Sequence, residues 1–256
     1  MSILELDLGN TRCKWRQLAS SGVAGLVGVV SRGAFATSAW HSGALPVDWR
    51  GVSFTRVRVA NVAGEGVAAV VRQYFVEGFG LEPEFAEVSA RCAGVTCAYK
   101  EVSRLGVDRW LAVLAAHQRD PSPSLVVDCG SAVTLDLLGS GGCHLGGYIV
   151  PGLALMRRAL FQDTDAVKVH GGTAASRSLA PGRDTAEAVN RGLPLMVLGA
   201  IEEARQQLMS AAVGPSEPAP KVWITGGDSA YLSSLCTLEH VRVDDLVLEG
   251  LALTNP

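Results

Sequence analysis

Two short stretches of this 256-residue chain carry the same potential chemistry. Residues 4–11 (Leu-Glu-Leu-Asp-Leu-Gly-Asn-Thr) and 126–132 (Val-Val-Asp-Cys-Gly-Ser-Ala) each run an apolar segment into Asp-x-Gly and then a small polar residue. Glycine turns leave backbone N–H groups able to point at an anion, and Thr11 or Ser131 adds a hydroxyl, so the pattern suits phosphate. A carboxylate at a strand end, such as Asp7, suits magnesium, which takes one or two carboxylates and completes its shell with water and phosphate oxygens. Lys14, one of only four lysines, follows three residues after Thr11 and could neutralise charge there. One such hairpin is most simply a turn capped by its Asp. Two copies almost half a chain apart favour a shared ligand.

Gly106-Val107-Asp108-Arg109 is the next candidate. Asp108 offers a carboxylate for a substrate hydroxyl, and Arg109 a fork of donors for a carboxylate or phosphate. Equally, Asp108 could cap the helix that follows, with Arg109 on the surface. A carboxylate at a helix N-terminus stays ionised, which suits phosphoryl transfer, where the base mainly orients the attacking hydroxyl. Thr225-Gly226-Gly227 suits an adenine-side turn, because glycine lets backbone approach a flat base. The stretch 146–152 ends in Pro151-Gly152, either a substrate-facing loop or, by default, punctuation before a helix. Gly171-Gly172-Thr173 and Gly182-Arg183-Asp184-Thr185 are loops that could touch a ligand. The five histidines form no triad or metal spacing, and the six cysteines read as reduced thiols, several facing the core. No lysine follows a glycine, so the P-loop fingerprint is absent, as is Gly-x-Gly-x-x-Gly after a strand.

These residues need elements to hold them. The pattern predicts strands over 3–7 and 12–18 around a Gly9-Asn10 turn, a strand over 57–61, a helix over 66–79 and a short strand over 84–88. Trp110, Leu111, Val113 and Leu114 set a helix over 107–117, and residues 120–124 form a turn. Strands then follow over 125–128, 133–138 and 145–150, helices over 153–160 and 184–208, a strand over 222–225 and a last helix over 244–253. Residues 213–220 read as a solvated loop. A repeat this long indicates two duplicated α/β lobes, about 1–115 and 116–256, because solenoid periods are only about 20–50 residues. The final segment would pack back on the first lobe.

With 48% apolar and 18% charged residues, the chain reads as globular and large enough for two cores. A net charge of −3 gives no reason to expect nucleic acid. No apolar run approaches the ~20 residues of a membrane span, the stretch 22–30 being too short and glycine-rich. No basic leader precedes the first strand. The expectation is a cytoplasmic protein with no membrane and no nucleic-acid partner.

With both Asp-x-Gly hairpins, Gly106-Val107-Asp108-Arg109 and Thr225-Gly226-Gly227 in that order, the chain resembles the type III pantothenate kinase family, also called the Bvg accessory factor family. The likeness runs from Ile3 to beyond Gly250. It implies the fold of acetate and sugar kinases, Hsp70 and actin: two actin-like (ribonuclease H-like) lobes with a central cleft. It also implies ATP-dependent phosphorylation of pantothenate to 4'-phosphopantothenate, the first step of coenzyme A biosynthesis. A homodimer, Mg2+ or another divalent cation, and K+ or NH4+ belong to the same expectation.

Carried over by motif, Asp7, Gly9, Asn10, Thr11 and Lys14 form the first phosphate loop, with Asp7 near the divalent ion. Tyr99, Gly106, Val107, Asp108 and Arg109 form the pantothenate site, Asp108 being the catalytic base. Asp128 corresponds to the monovalent-cation ligand. Ser131 stands where the family usually has Thr and keeps the hydroxyl for ATP. Gly226 and Gly227 lie on the ATP side, and Thr185 reaches pantothenate across the dimer interface. Cys129 replaces a more typical apolar residue. Residues 164–169 lack the Leu-Pro that often follows Thr-Ala in relatives, and no role is placed there. Two rivals share the lobes: a sugar kinase or phosphatase, and a nucleotide-binding regulator without catalysis. The Gly-x-Asp-Arg with Thr185 argues against the first, and Asp7, Lys14, Asp108 and Asp128 against the second.

Overall fold

The computed structural model describes residues 2–20, 27–162, 178–212 and 219–255. In chain order the elements are β1 (Ser2–Leu8), β2 (Arg12–Ser20), β3 (Val27–Ala36), α1 (Ala39–Ser42), β4 (Arg56–Asn61), α2 (Glu65–Phe79), β5 (Glu84–Phe85), β6 (Arg91–Cys92), β7 (Val95–Thr96) and α3 (Val107–Arg119). There follow β8 (Ser124–Cys129), β9 (Ala132–Gly139), β10 (Cys143–Pro151), α4 (Leu153–Gln162), α5 (Thr185–Ala212), β11 (Lys221–Thr225), α6 (Ser229–Leu235), β12 (Val241–Arg242) and α7 (Leu246–Thr254). The chain divides into two compact units: the described residues of 1–93, 99–115 and 246–256, and those of 94–98 and 116–245.

In the first unit the strand order is β3-β2-β1-β4-β5, antiparallel among the first three and parallel from β1 through β4 to β5. Strand alternation turns Leu4, Leu6 and Leu8 of β1 to one face, where they are fully buried, and leaves Glu5 and Asp7 on the other. The leucine face packs with Val67, Val71 and Phe75 of α2 and with an aromatic cluster around Trp15, Trp40 and Trp49. Trp15 meets Trp49 edge-on, with ring centroids 5.7 Å apart.

On the opposite face, Glu5 is fully buried and takes Arg16 Nε on Oε2 at 2.5 Å and Arg58 Nη1 on Oε1 at 3.1 Å. Arg16 Nη2 also donates to the Leu248 carbonyl at 3.0 Å, tying α7 to this sheet. Buried charges hold only when paired and hydrogen-bonded, and this network meets that condition for the carboxylate on both oxygens. The last helix therefore belongs to the first unit.

In the second unit the order β10-β9-β8-β11-β12 repeats the first, with the same directions at every pairing, and β7 runs parallel to β10 beyond it. Leu125, Val127 and Cys129 of β8 and Val133, Leu135 and Leu137 of β9 form a core with Leu193, Val197 and Ile201 of α5. Alternation places Asp128, like Asp7, on the face away from that core. The expected pair of related α/β halves is thus present, each with a 3-2-1-4-5 sheet.

The structure departs from the sequence expectations locally. The strand expected over 84–88 is confined to 84–85, while β3, α1, α6 and the short β6, β7 and β12 were not foreseen. In β3, glycines weaken the strand signal, yet a Cβ on Gly33 would fall 2.9 Å from Trp15 Nε1, so that position is small to seat the indole. α6 has only 7 residues, three of them serine. All six cysteines are free thiols, Cys13 and Cys129 being buried. Among the described residues, no helix is long and apolar enough to cross a membrane.

Candidate functional site

The first hairpin closes where Leu8 faces Cys13 and Gly9 N–H donates to the Arg12 carbonyl at 3.0 Å, leaving residues 9–12 as the loop. Asn10 and Thr11 are exposed at its tip, Asp7 is half-buried, and Lys14 sits directly across from Asp7 on β2. The hairpin's carbonyls turn into the fold. The Leu8 carbonyl accepts Val62 N–H at 3.0 Å, and the Thr11 carbonyl accepts Thr37 N–H at 3.0 Å. The Gly9 carbonyl accepts the Thr37 hydroxyl at 2.6 Å. Thr37, only 4% exposed, carried no signal in the sequence beyond following an apolar segment. Burial, with the Asp7 charge adding, pushes the Cys13 thiol up to about 12, so it stays protonated beside the loop.

The second hairpin closes where Cys129 faces Val133 and Gly130 N–H donates to the Ala132 carbonyl at 3.0 Å, so its loop, 130–132, is one residue shorter. Its carbonyls are held likewise: Asp228 N–H donates to Cys129 at 2.9 Å and Gly152 N–H to Ser131 at 3.1 Å. Gly226, at φ +98°, presses on the same strand end, where a Cβ would lie 2.4 Å from Asp128 Oδ1 and 2.5 Å from the Cys129 backbone. Only glycine satisfies both conditions. A Cβ on Gly152 would lie 2.3 Å from the Gly130 carbonyl oxygen. The structure thus brings Asp128, Ser131, Gly226 and Gly227 together and adds Gly152 and Asp228. Read as punctuation in the sequence, Gly152 is a contact residue. Burial raises the Asp228 carboxyl above its ordinary value.

The third constellation opens α3. Asp108 is the second helical residue rather than a cap, and its Oδ1 accepts Arg109 N–H at 2.8 Å. A Cβ on Gly106 would fall 2.6 Å from that oxygen, so the glycine gives the carboxylate room. Arg109 is 6% exposed, which overturns the surface alternative. Its Nη1 donates to Tyr99 Oη at 3.0 Å, and its guanidinium carbon lies 5.8 Å from that ring's centroid. Val107 is buried in the same turn.

Thr185 is the exposed first residue of α5. Asp184 caps that helix by accepting Glu187 N–H at 2.8 Å, and Glu187 Oε2 in turn accepts Arg183 N–H at 2.9 Å. Gly171-Gly172-Thr173 and residues 164–169 lie outside the described residues. Among the described residues no group of three or more His, Cys, Asp or Glu is placed to hold a metal. Single strand-end carboxylates with open loops beside them fit magnesium shared with a ligand's phosphate oxygens, since magnesium is seldom caged by protein groups alone.

Two sheets of order 3-2-1-4-5, each with an Asp-x-Gly hairpin at the end of its central strand, define the duplicated actin-like (ribonuclease H-like) class. Two solved structures share the fold. A Baf family protein from Campylobacter jejuni matches with a TM-score of 0.61 at 19% identity, over 97% of this chain and 95% of that one. The ethanolamine utilization protein EutJ from Carboxydothermus hydrogenoformans matches with a TM-score of 0.51 at 14% identity, over 100% and 90%. In sequence, the family pattern described as Type III pantothenate kinase matches residues 3–207. A type III pantothenate kinase of Pseudomonas savastanoi pv. phaseolicola is 39% identical over 99% of both chains. Another, of Chromohalobacter salexigens, is 37% identical over 99% of this chain and 87% of its own. The chain belongs to the type III pantothenate kinase family.

Proposed function

We propose that this chain transfers the γ-phosphoryl group of ATP to the terminal hydroxyl of pantothenate, giving 4'-phosphopantothenate and ADP and so opening coenzyme A biosynthesis. The observation that carries the site assignment is the Asp108 carboxylate beside buried Arg109 and its half-buried partner Tyr99. A carboxylate and an anion-binding fork on adjacent residues match a substrate with a hydroxyl to orient and a carboxylate to hold.

In the reaction, the hydroxyl oxygen forms a bond to the γ-phosphorus as the bond from that phosphorus to the β,γ-bridging oxygen breaks. ADP carries away the electron pair, and Asp108 takes the hydroxyl proton. The transition state is loose, so the protein contributes mainly position and charge. Asn10, Thr11 and Lys14 receive phosphate oxygens, Gly9 closes their turn through its N–H bond to the Arg12 carbonyl, Ser131 gives a hydroxyl to ATP, and Gly226 and Gly227 lie on the adenine side. Gly106 and Val107 shape the pantothenate pocket with Tyr99, and Thr185 extends it. Asp7 would hold Mg2+ and Asp128 K+ or NH4+, and these ions supply charge neutralisation for the triphosphate.

The enzyme acts in the cytoplasm as a homodimer. An apolar groove of about 380 Å3, whose walls include Leu155, Leu160, Leu193 and Met196, supports self-association, as do Ile149 (63% exposed) and Met196 (64% exposed) nearby.

Coupled ADP release tests the reading. Release should require pantothenate together with Mg2+ and rise with K+. Absence of phosphopantothenate under those conditions would overturn it, and turnover of hexoses instead would favour the sugar-kinase alternative.

A further inference from the structure

We propose that Thr37 is a positioning residue for the first phosphate hairpin, turning the carbonyls of that loop away from the ligand so that phosphate meets N–H groups. The inference rests on reading residues 9–14 as a phosphate loop. A hairpin of this kind offers an anion both N–H dipoles and carbonyl lone pairs, and the lone pairs repel it. Selectivity for phosphate therefore needs the carbonyls occupied elsewhere.

Thr37 occupies two of them. Its amide donates to the Thr11 carbonyl at 3.0 Å and its hydroxyl to the Gly9 carbonyl at 2.6 Å. With Val62 on Leu8 and Gly9 on Arg12, the carbonyls of residues 8, 9, 11 and 12 are all bonded inside the fold. Thr37 is buried and Gly9 half-buried, so losing the hydroxyl would leave the Gly9 carbonyl without this partner.

The second unit shows which part of this device is general. Thr37 is the first residue after β3, and Gly152 the first after β10, the strand in the same position of the repeated order. Gly152 N–H makes the corresponding bond, to the Ser131 carbonyl at 3.1 Å. There the loop is one residue shorter, and a Cβ would strike the Gly130 carbonyl oxygen at 2.3 Å. The backbone clasp is thus common to both halves. The side-chain clasp belongs to the first alone, where the longer loop leaves space for it.

Four variants test this: Thr37→Val, Thr37→Ala, Thr37→Ser and, as a reference for the loop itself, Lys14→Met. ATP affinity by calorimetry and the KM values for ATP and pantothenate are the readouts. Loss of the hydroxyl should raise the ATP KM about tenfold in both the Val and Ala variants, with Ser restoring it and the pantothenate KM staying within about twofold. A packing role would instead leave Val normal and Ala impaired, and that result overturns the proposal. So does an equal rise in both KM values, or Ser as impaired as Val. If Lys14→Met binds ATP normally, the loop reading fails and the proposal with it. Lys14→Met impaired with Thr37→Val normal sinks the proposal alone.

Discussion

Arg109 is held to Tyr99 twice over: its Nη1 donates to the phenol oxygen at 3.0 Å while its guanidinium carbon lies 5.8 Å from the ring centroid. A guanidinium this buried keeps one orientation because the ring and the hydroxyl both constrain it, and its remaining donors are aimed in consequence. Removing the hydroxyl with Tyr99→Phe should raise the pantothenate KM about tenfold, the value of a charged hydrogen bond of roughly 1.5 kcal/mol, with the ATP KM unmoved. Steady-state kinetics on both substrates checks it, and a parallel change in the two constants would argue against the assignment.

Asp108 shares its Oδ1 with the Arg109 amide. Replacement by Asn preserves size and the accepting oxygen but cannot take a proton. We expect kcat to fall by a factor of about 10² or more while the pantothenate KM changes little. Near-normal turnover would remove Asp108 as the base.

Gly226 combines a left-handed φ of +98° with near contact to Asp128. Gly226→Ala should destabilise the protein by about 2 kcal/mol or more, seen as a drop of about 4–8 °C in melting temperature. Thermal unfolding of the two proteins decides this, and an unchanged melting point would contradict the packing.

Asp228 gives a pH prediction. Burial raises its folded-state pKa above the unfolded value of 3.8, so the folded protein binds this proton more tightly than the unfolded chain does. The group's penalty is therefore fully present above the folded pKa and is relieved as pH falls through it toward 3.8. Asp228→Asn should be the more stable protein at neutral pH, with the advantage shrinking on acidification. Urea midpoints at neutral and acidic pH measure it, and a gap that widens in acid would refute the sign.

The features legible in the sequence were those carried by consecutive residues. Asp7-x-Gly9 and Asp128-x-Gly130 stand in similar local strings, and both units place them at the end of the central strand of a 3-2-1-4-5 sheet. What stayed hidden depends on partners far along the chain. Thr37 looks ordinary until its hydroxyl meets Gly9, 28 residues earlier. The burial of Arg109 depends on Tyr99, which lies on an irregular segment with no periodicity to place it. Gly152 resembled a helix entry, and only the folded contact with Gly130 shows why no larger residue fits. β3 was hidden by its two glycines, of which Gly33 answers to Trp15 rather than to strand propensity.

The membership of α7 in the first unit also sets an order of assembly on the ribosome. The roughly 130 residues of 116–245 must be translated between the end of that unit's N-terminal part and the start of its closing helix. At about 5–20 residues per second this takes about 7–26 s, during which Arg16 lacks the Leu248 carbonyl that later receives it. The half that emerges first is the half completed last.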